Sequence, residues 1–245
     1  MKKKDLIFGI HAVLEAIERG KSISKIWIKH PSSHSLHKKI SQLSQQKAIP
    51  ISHVPMVKLN RLISEKHQGV IALVSPIVFS SLSHVIEATY ERGEIPFIIV
   101  LSRIEDTRNL GAIVRTALAA QVHAVVLPLK EIPPIDGTTM KTSAGTLSSM
   151  PICRVKDLGQ AITFLKESGI QVVACTEKAQ RKYYSANFEL PTALLLGGEA
   201  EGIAAHYLVM SNHHITIPMN RKVNSLNVAV ATGIISYEVV RQRTP

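Results

Sequence analysis

The sequence predicts an α/β protein in two parts, a small basic α/β module followed by a longer series of strands and helices on a mostly parallel sheet. Three observations predict it. Short, near-continuous apolar runs alternate with helical patterns along the second part, as strands buried on both faces require. Charge is uneven: residues 1–75 hold 13 Lys and Arg against 4 Asp and Glu, whereas residues 76–245 hold 16 against 14. Proline and serine cluster from Ser75-Pro76 to Ser81, where that balance changes, and this marks a domain boundary.

The elements follow in order. Ile10 to Arg19 carries apolar Val13, Leu14 and Ile17 at helical spacing and stops at Gly20. Lys25 to Lys29 alternates as a strand does, and Leu36 to Lys47 reads as a polar helix. Ile49 to Val54 is a short strand, Pro55 to Ile63 a helix with proline in its first turn, and Gly69 to Val74 a third strand. Leu82 to Arg92 is a helix that leads into the second part. Strands are then expected at Phe97–Leu101, Ala124–Leu127, Val172–Cys175, Ala193–Leu196 and His214–Ile217, with helices between most of them.

Composition narrows the function. The net charge of +11, concentrated at the front, points to a polyanion such as nucleic acid. Aromatic residues are only 4%, so phosphate and shape contacts must dominate over base stacking. Cys153 and Cys175 lack metal-ligand spacing and read as small buried hydrophobes in a reducing compartment. No apolar run approaches the roughly 18 residues of a membrane span, and no signal-peptide core follows Lys2-Lys3-Lys4; a soluble cytoplasmic protein is expected.

Three segments carry chemistry. In Leu101 to Thr116 a buried strand runs into a charged loop, Asn109 is placed to cap a helix, Gly111 opens the backbone to close approach, and Arg115 follows one turn later. In Leu194 to Ile203 a strand enters a glycine-rich turn with two carboxylates; the spacing fits neither a dinucleotide fingerprint nor a phosphate-binding P-loop. In Ile217 to Gly233 an apolar run stops at Pro218, a basic loop follows, and Ser225-Leu226-Asn227 opens a long apolar helix whose free N–H groups suit a polar ligand. Ligands of open parallel sheets bind where such loops lie, at the carboxyl ends of strands.

Asn109-Leu-Gly-Ala-Ile-Val-Arg115-Thr116, Gly197-Gly-Glu199-Ala-Glu-Gly202 and Ile217-Pro-Met219 with Ser225-Leu226-Asn227-Val228 resemble the three motifs of the SpoU (TrmH-type) RNA ribose 2′-O-methyltransferases. The resemblance covers residues 97–243, and Ile7 to Val13 and His67 to Ala72 extend it forward, in the manner of the bacterial subgroup that methylates a guanosine of large-subunit ribosomal RNA. It implies a trefoil-knotted SPOUT catalytic domain over residues 96–245, a linker and lead-in helix over 76–95, and a ribosomal-protein-like RNA-binding domain over 1–75. It implies S-adenosylmethionine as cofactor without a metal, ribosomal RNA as partner, no membrane, and a homodimer packed through the catalytic domain. It makes Asn109, Arg115, Glu199, Ser225 and Asn227 the catalytic set, and Thr176, Gly197, Ile217, Met219 and Leu226 the cofactor-binding set. The chain departs from the pattern where Thr107-Arg108 stands in place of an expected proline, and at Asn224 and Ala229, where serine is common.

Methyl transfer from a sulfonium is an in-line displacement that needs the ribose oxygen about 3 Å from the methyl carbon. Arg115 suits the positioning of a phosphate and the stabilising of a developing alkoxide; any role as the base is secondary, because a guanidinium is normally always protonated. Two other readings fit the same residues: action on transfer RNA, or a catalytically silent ribosomal-RNA-binding assembly protein.

Overall fold

The computed structural model describes residues 5–31, 34–198, 201–220 and 222–244. Contacts divide the chain into two compact units, Met1–Val78 with Pro134–Thr138, and Phe79–Pro133 with Thr139–Pro245.

The first unit runs β1 (Leu6–Phe8), α1 (Ile10–Glu18), β2 (Ile23–Lys29), α2 (Ser35–Gln46), β3 (Ile51–Val54), α3 (Met56–Leu62) and β4 (Val70–Val74). Its sheet has the order β1-β4-β2-β3, with β1 and β2 antiparallel to β4 and β3 parallel to β2. Strand alternation sends Ile26, Ile28, Val70 and Ala72 to one face, under Val13 and Ile17 of α1 and Ile40 of α2. Trp27, Ile71 and Leu73 go to the other face, against Leu59 of α3. Helix α1 ends as its sequence predicts: Gly20 takes φ +70°, and the N–H groups of Gly20 and Lys21 close onto Ile17 and Ala16 carbonyls in a Schellman turn. Two readings change. Strand β1 adds an antiparallel edge, and Pro55 sits at the cap of α3 with extended backbone (φ −61°, ψ 151°) instead of in the first turn.

The second unit runs α4 (Leu82–Glu91), β5 (Phe97–Leu101), α5 (Thr107–Ala119), β6 (Ala124–Pro128), α6 (Gly137–Thr142), β7 (Ile152–Val155), α7 (Leu158–Glu167), β8 (Gln171–Cys175), β9 (Thr192–Leu196), α8 (Ala205–Met210), β10 (His213–Ile215) and α9 (Val228–Arg243). Among the described residues its six strands have the order β10-β8-β9-β5-β6-β7, and every pairing is parallel. Strands β5 and β9 are buried along their whole lengths, which explains their unbroken apolar sequences. Leu82 and Ile86 of α4 and Ile162 and Leu165 of α7 pack into the core with Val100, Val126 and Leu195. Strand β7, absent from the sequence reading, forms the edge beside β6.

All these strands end at one edge of the sheet. There the end of β10 meets the loop that follows β8. Thr176, just beyond β8, donates to Ile215 O, while on the other side Thr216 donates to Arg181 O and Tyr183 donates to Thr216 O. Residues 215–216 are therefore hydrogen-bonded to both ends of the 176–183 loop.

Candidate active site

Three loops meet at that edge. After β5, Ser102 N and Oγ both donate to Leu196 O, at 2.9 and 3.2 Å, and bind this loop to the end of β9. Helix α5 then starts at Asp106, whose Oδ1 accepts from Arg108 N at 2.7 Å. The cap is thus Asp106 and not Asn109: a carboxylate one residue before Thr107 captures the free N–H first, and Asn109 falls inside the first turn. The Arg108 side chain returns to Asp106 Oδ2 at 2.7 Å, and the pair holds the Asp106 carboxyl below its usual range.

Gly111 also has another use than expected. A Cβ there would stand 2.0 Å from Thr142 Oγ1 and 3.0 Å from Ser143 N. The missing side chain lets α5 pack against the end of α6; it does not admit a ligand.

After β9 the chain turns back on itself. Gly202 N donates to Gly198 O at 2.9 Å, and a Cβ on Gly197 would meet Gly202 C at 2.2 Å and Ile203 N at 2.5 Å. Only glycine fits at position 197, because the obstacle is backbone. Glu199 lies outside the described residues.

The third loop ends at Asn227, the N-cap of α9. Its Oδ1 accepts from Ala229 N at 2.9 Å and Val230 N at 3.4 Å, and its Nδ2 donates to Asn109 Oδ1 at 3.1 Å. One amide therefore starts α9 and ties it to α5.

These loops enclose a cavity of about 320 Å3. Thr176, Gly197, Ile217, Met219, Leu226 and Ser225 all line it, so it gathers the whole expected cofactor set and one expected catalytic residue. Leu196, Ile215 and Val228 give it an apolar wall, and Glu177, Lys178 and Glu201 bring charge. Cys175 also lines it, and desolvation raises its thiol pKa, so the sulfur stays protonated and unreactive. Asn109, Glu105 and Asp106 line an adjoining cavity that shares Gly198 and Val228 with the first. Arg115 is exposed on α5 and is not among the residues lining either cavity. Among the described residues no group of three or more His, Cys, Asp or Glu is arranged to hold a metal ion, and no helix is long and apolar enough to cross a membrane.

Sequence reasoning missed Glu177 and Lys178, which follow β8 directly; their place after a buried parallel strand was the available signal. It also missed Arg103, whose side chain joins Glu105 and Glu201.

Fold and cavity together define an open parallel α/β unit with its cavity at the carboxyl edge of the sheet. Residues 96–237 match the SpoU rRNA Methylase family, and residues 6–79 match the RNA 2′-O ribose methyltransferase substrate binding family. YacO of Bacillus subtilis (strain 168), whose name assigns it to the TrmH family of tRNA/rRNA methyltransferases, is 32% identical over 244 residues, covering 100% of this chain and 98% of its own. The SpoU methyltransferase AviRb from Streptomyces viridochromogenes, solved with AdoMet, shares the fold at a TM-score of 0.62 and 22% identity, over 97% of this chain and 90% of that one. The AdoMet-bound rRNA methyltransferase from Sinorhizobium meliloti does so at 0.62 and 22%, over 98% and 88%. The chain belongs to the SpoU family of RNA methyltransferases.

Proposed function

We propose that this protein transfers a methyl group from S-adenosylmethionine to the ribose 2′-oxygen of a guanosine in large-subunit (23S) ribosomal RNA. The observation that carries the reading is the convergence of Thr176, Gly197, Ile217, Met219, Leu226 and Ser225 on one cavity, beside the Asn109–Asn227 link.

The cavity suits this donor. Apolar Leu196, Ile215, Leu226 and Val228 offer a bed for an adenine, and the backbone around Gly197 and Ile217 offers hydrogen bonds without charge. The Glu177 and Glu201 carboxylates complement a ligand bearing a sulfonium and an ammonium. When bound, the donor supplies a methyl group on a positively charged sulfur, an electrophile that needs no metal.

The chain's own residues then have separate tasks. Asn227 fixes the start of α9 and, through Asn109, the start of α5. Ser225 faces the donor from the third loop. Arg115 holds the phosphate of the target nucleotide and stabilises the oxygen as negative charge develops. Its resemblance-based partner is Glu199. The exposure of Arg115 away from both cavities supports a site completed by a second copy, a homodimer packed through residues 96–245. Val230 and Tyr237, about half exposed on the outer side of α9, offer apolar surface for that packing. Residues 1–75, with their excess of lysine and arginine, grip the RNA. A cytoplasmic setting follows from that substrate.

Purified protein incubated with 23S ribosomal RNA and methyl-tritiated S-adenosylmethionine tests the reading, with mass mapping of ribose methylation on RNA from cells with and without the protein. One guanosine ribose gains a methyl in its presence. Methylation of transfer RNA alone would replace the substrate, and no incorporation into any RNA, with no donor binding, would sink the proposal.

A further inference from the structure

Arg103 lies in the loop that leads to the first motif, and its side chain joins that loop to the second motif. It follows Ser102 at the end of β5, and its side chain is 28% exposed. Its Nη2 binds Glu105 Oε1 at 2.9 Å within its own loop, and its Nη1 binds Glu201 Oε2 in the turn after β9, 98 residues away. Its stem lies along the same turn: Cγ and Cδ would stand 3.4 Å from a Cβ built on Gly198. A guanidinium has a planar fork of donors and can serve two carboxylates at once. The turn it covers is otherwise closed by the Gly202 to Gly198 backbone bond, and Glu201 and Gly198 both line the cavity.

We infer that Arg103 is a positioning residue: it clasps the turn after β9 to the loop after β5 and holds the cavity wall at Gly197, Gly198 and Glu201 in its ligand-binding shape. In the functional role of that wall, the inference rests on the reading of the cavity as the S-adenosylmethionine site. The loop carries Thr107-Arg108 where the resemblance leads one to expect a proline, and the Arg103–Glu105 and Asp106–Arg108 pairs tie it instead.

The test uses the full chain as wild type, Arg103→Ala, Arg103→Lys and the swapped pair Arg103→Glu with Glu201→Arg. Hydrogen exchange of the peptide spanning residues 196–203 is measured on each protein alone, and the KM for S-adenosylmethionine, the KM for ribosomal RNA and kcat are measured separately. Arg103→Ala is expected to speed exchange in that peptide and to raise the donor KM, each by about two- to fivefold, as the loss of a largely solvated ion pair allows. Its kcat and RNA KM stay within about twofold of wild type, Arg103→Lys falls between, and the swapped pair recovers part of the loss in exchange alone, because it also removes the Glu201 carboxylate from the donor's side of the wall. Unchanged exchange and donor KM overturn the inference, as does an effect confined to the RNA KM, which would make Arg103 an RNA contact. If exchange responds as expected while wild type itself binds no donor, the clasp stands and the donor reading fails.

Discussion

At Gly197 the limit on side-chain size is set by backbone, since the Gly202 carbonyl carbon occupies the space of a Cβ. Gly197→Val must displace the 198–202 turn from the cavity wall. We expect donor binding to be lost while RNA binding stays within about threefold, because the basic surface lies elsewhere; calorimetry with each ligand alone checks this. Asn227 has two jobs in one amide, as cap and as link to Asn109. Asn227→Ala therefore costs about 1 kcal/mol of stability for the cap, visible as a Tm lowered by about 3 °C. Its kcat falls by more than that loss accounts for, at least about tenfold, because α5 and α9 lose their register at the site. Arg115→Lys keeps the charge and loses the fork, so kcat drops by about tenfold or more with the donor KM unchanged; full activity would remove the phosphate-positioning role. The residue-level reading placed Ser225-Leu226-Asn227 at the opening of a long helix, and α9 does begin directly after Asn227. It failed where neighbours compete, as when Asp106 outbid Asn109 for the cap, and where the need is set by a distant element, as when Thr142 dictates Gly111.

Helix α9 is fastened at its far end as well. Arg243 donates to the carbonyls of Phe188, Ile95, Leu190 and Pro96 at 2.8 to 3.2 Å, and its guanidinium stands 5.5 Å from the Phe97 ring. Desolvation lowers its pKa to about 10, so it remains charged throughout the physiological range. The contacts tie the C-terminus of α9 to the segments entering β5 and β9, as the macrodipole favours. Arg243→Ala is expected to cost about 2 kcal/mol and to lower Tm by about 5 °C, with Arg243→Lys recovering less than half, since an ammonium cannot reach four carbonyls. Thermal denaturation followed by circular dichroism decides it; an unchanged Tm in Arg243→Ala removes the clamp. Elements like α9 and the strands β5 and β9 were legible because long periodic or unbroken apolar runs have one reading. Strands β1 and β7 were not, because three or four residues at a sheet edge carry too little pattern. The pairing of residues 215–216 with both ends of the 176–183 loop leaves no local signature, because its partners are more than thirty residues away in the chain.

At the scale of the molecule, charge and cavity are assigned to different units. The cavity belongs wholly to the second, near-neutral unit, whereas the first 75 residues carry 13 basic against 4 acidic side chains. On the first unit burial lowers the Lys25 pKa, and the nearby Lys58 adds a smaller push in the same direction. A surface that crowds ammonium groups gains by meeting phosphates, which release their counterions on contact. RNA affinity should therefore fall as salt rises, with a log–log slope of about −3 or steeper, whereas donor affinity, which involves only a few charges inside the cavity, should change far less. Lys58 and Arg61 are exposed on α3 and are the natural probes. Lys58→Ala and Arg61→Ala should each weaken RNA binding uniformly across sequences and flatten the slope by up to about 1, leaving kcat at saturating RNA unchanged. Filter binding across a salt series, beside calorimetry of the donor in the same buffers, makes the separation measurable. If donor and RNA affinity fell together with salt, or if both alanine variants left the slope intact, the basic front unit would not be the grip, and the RNA would have to be held by the unit that carries the cavity.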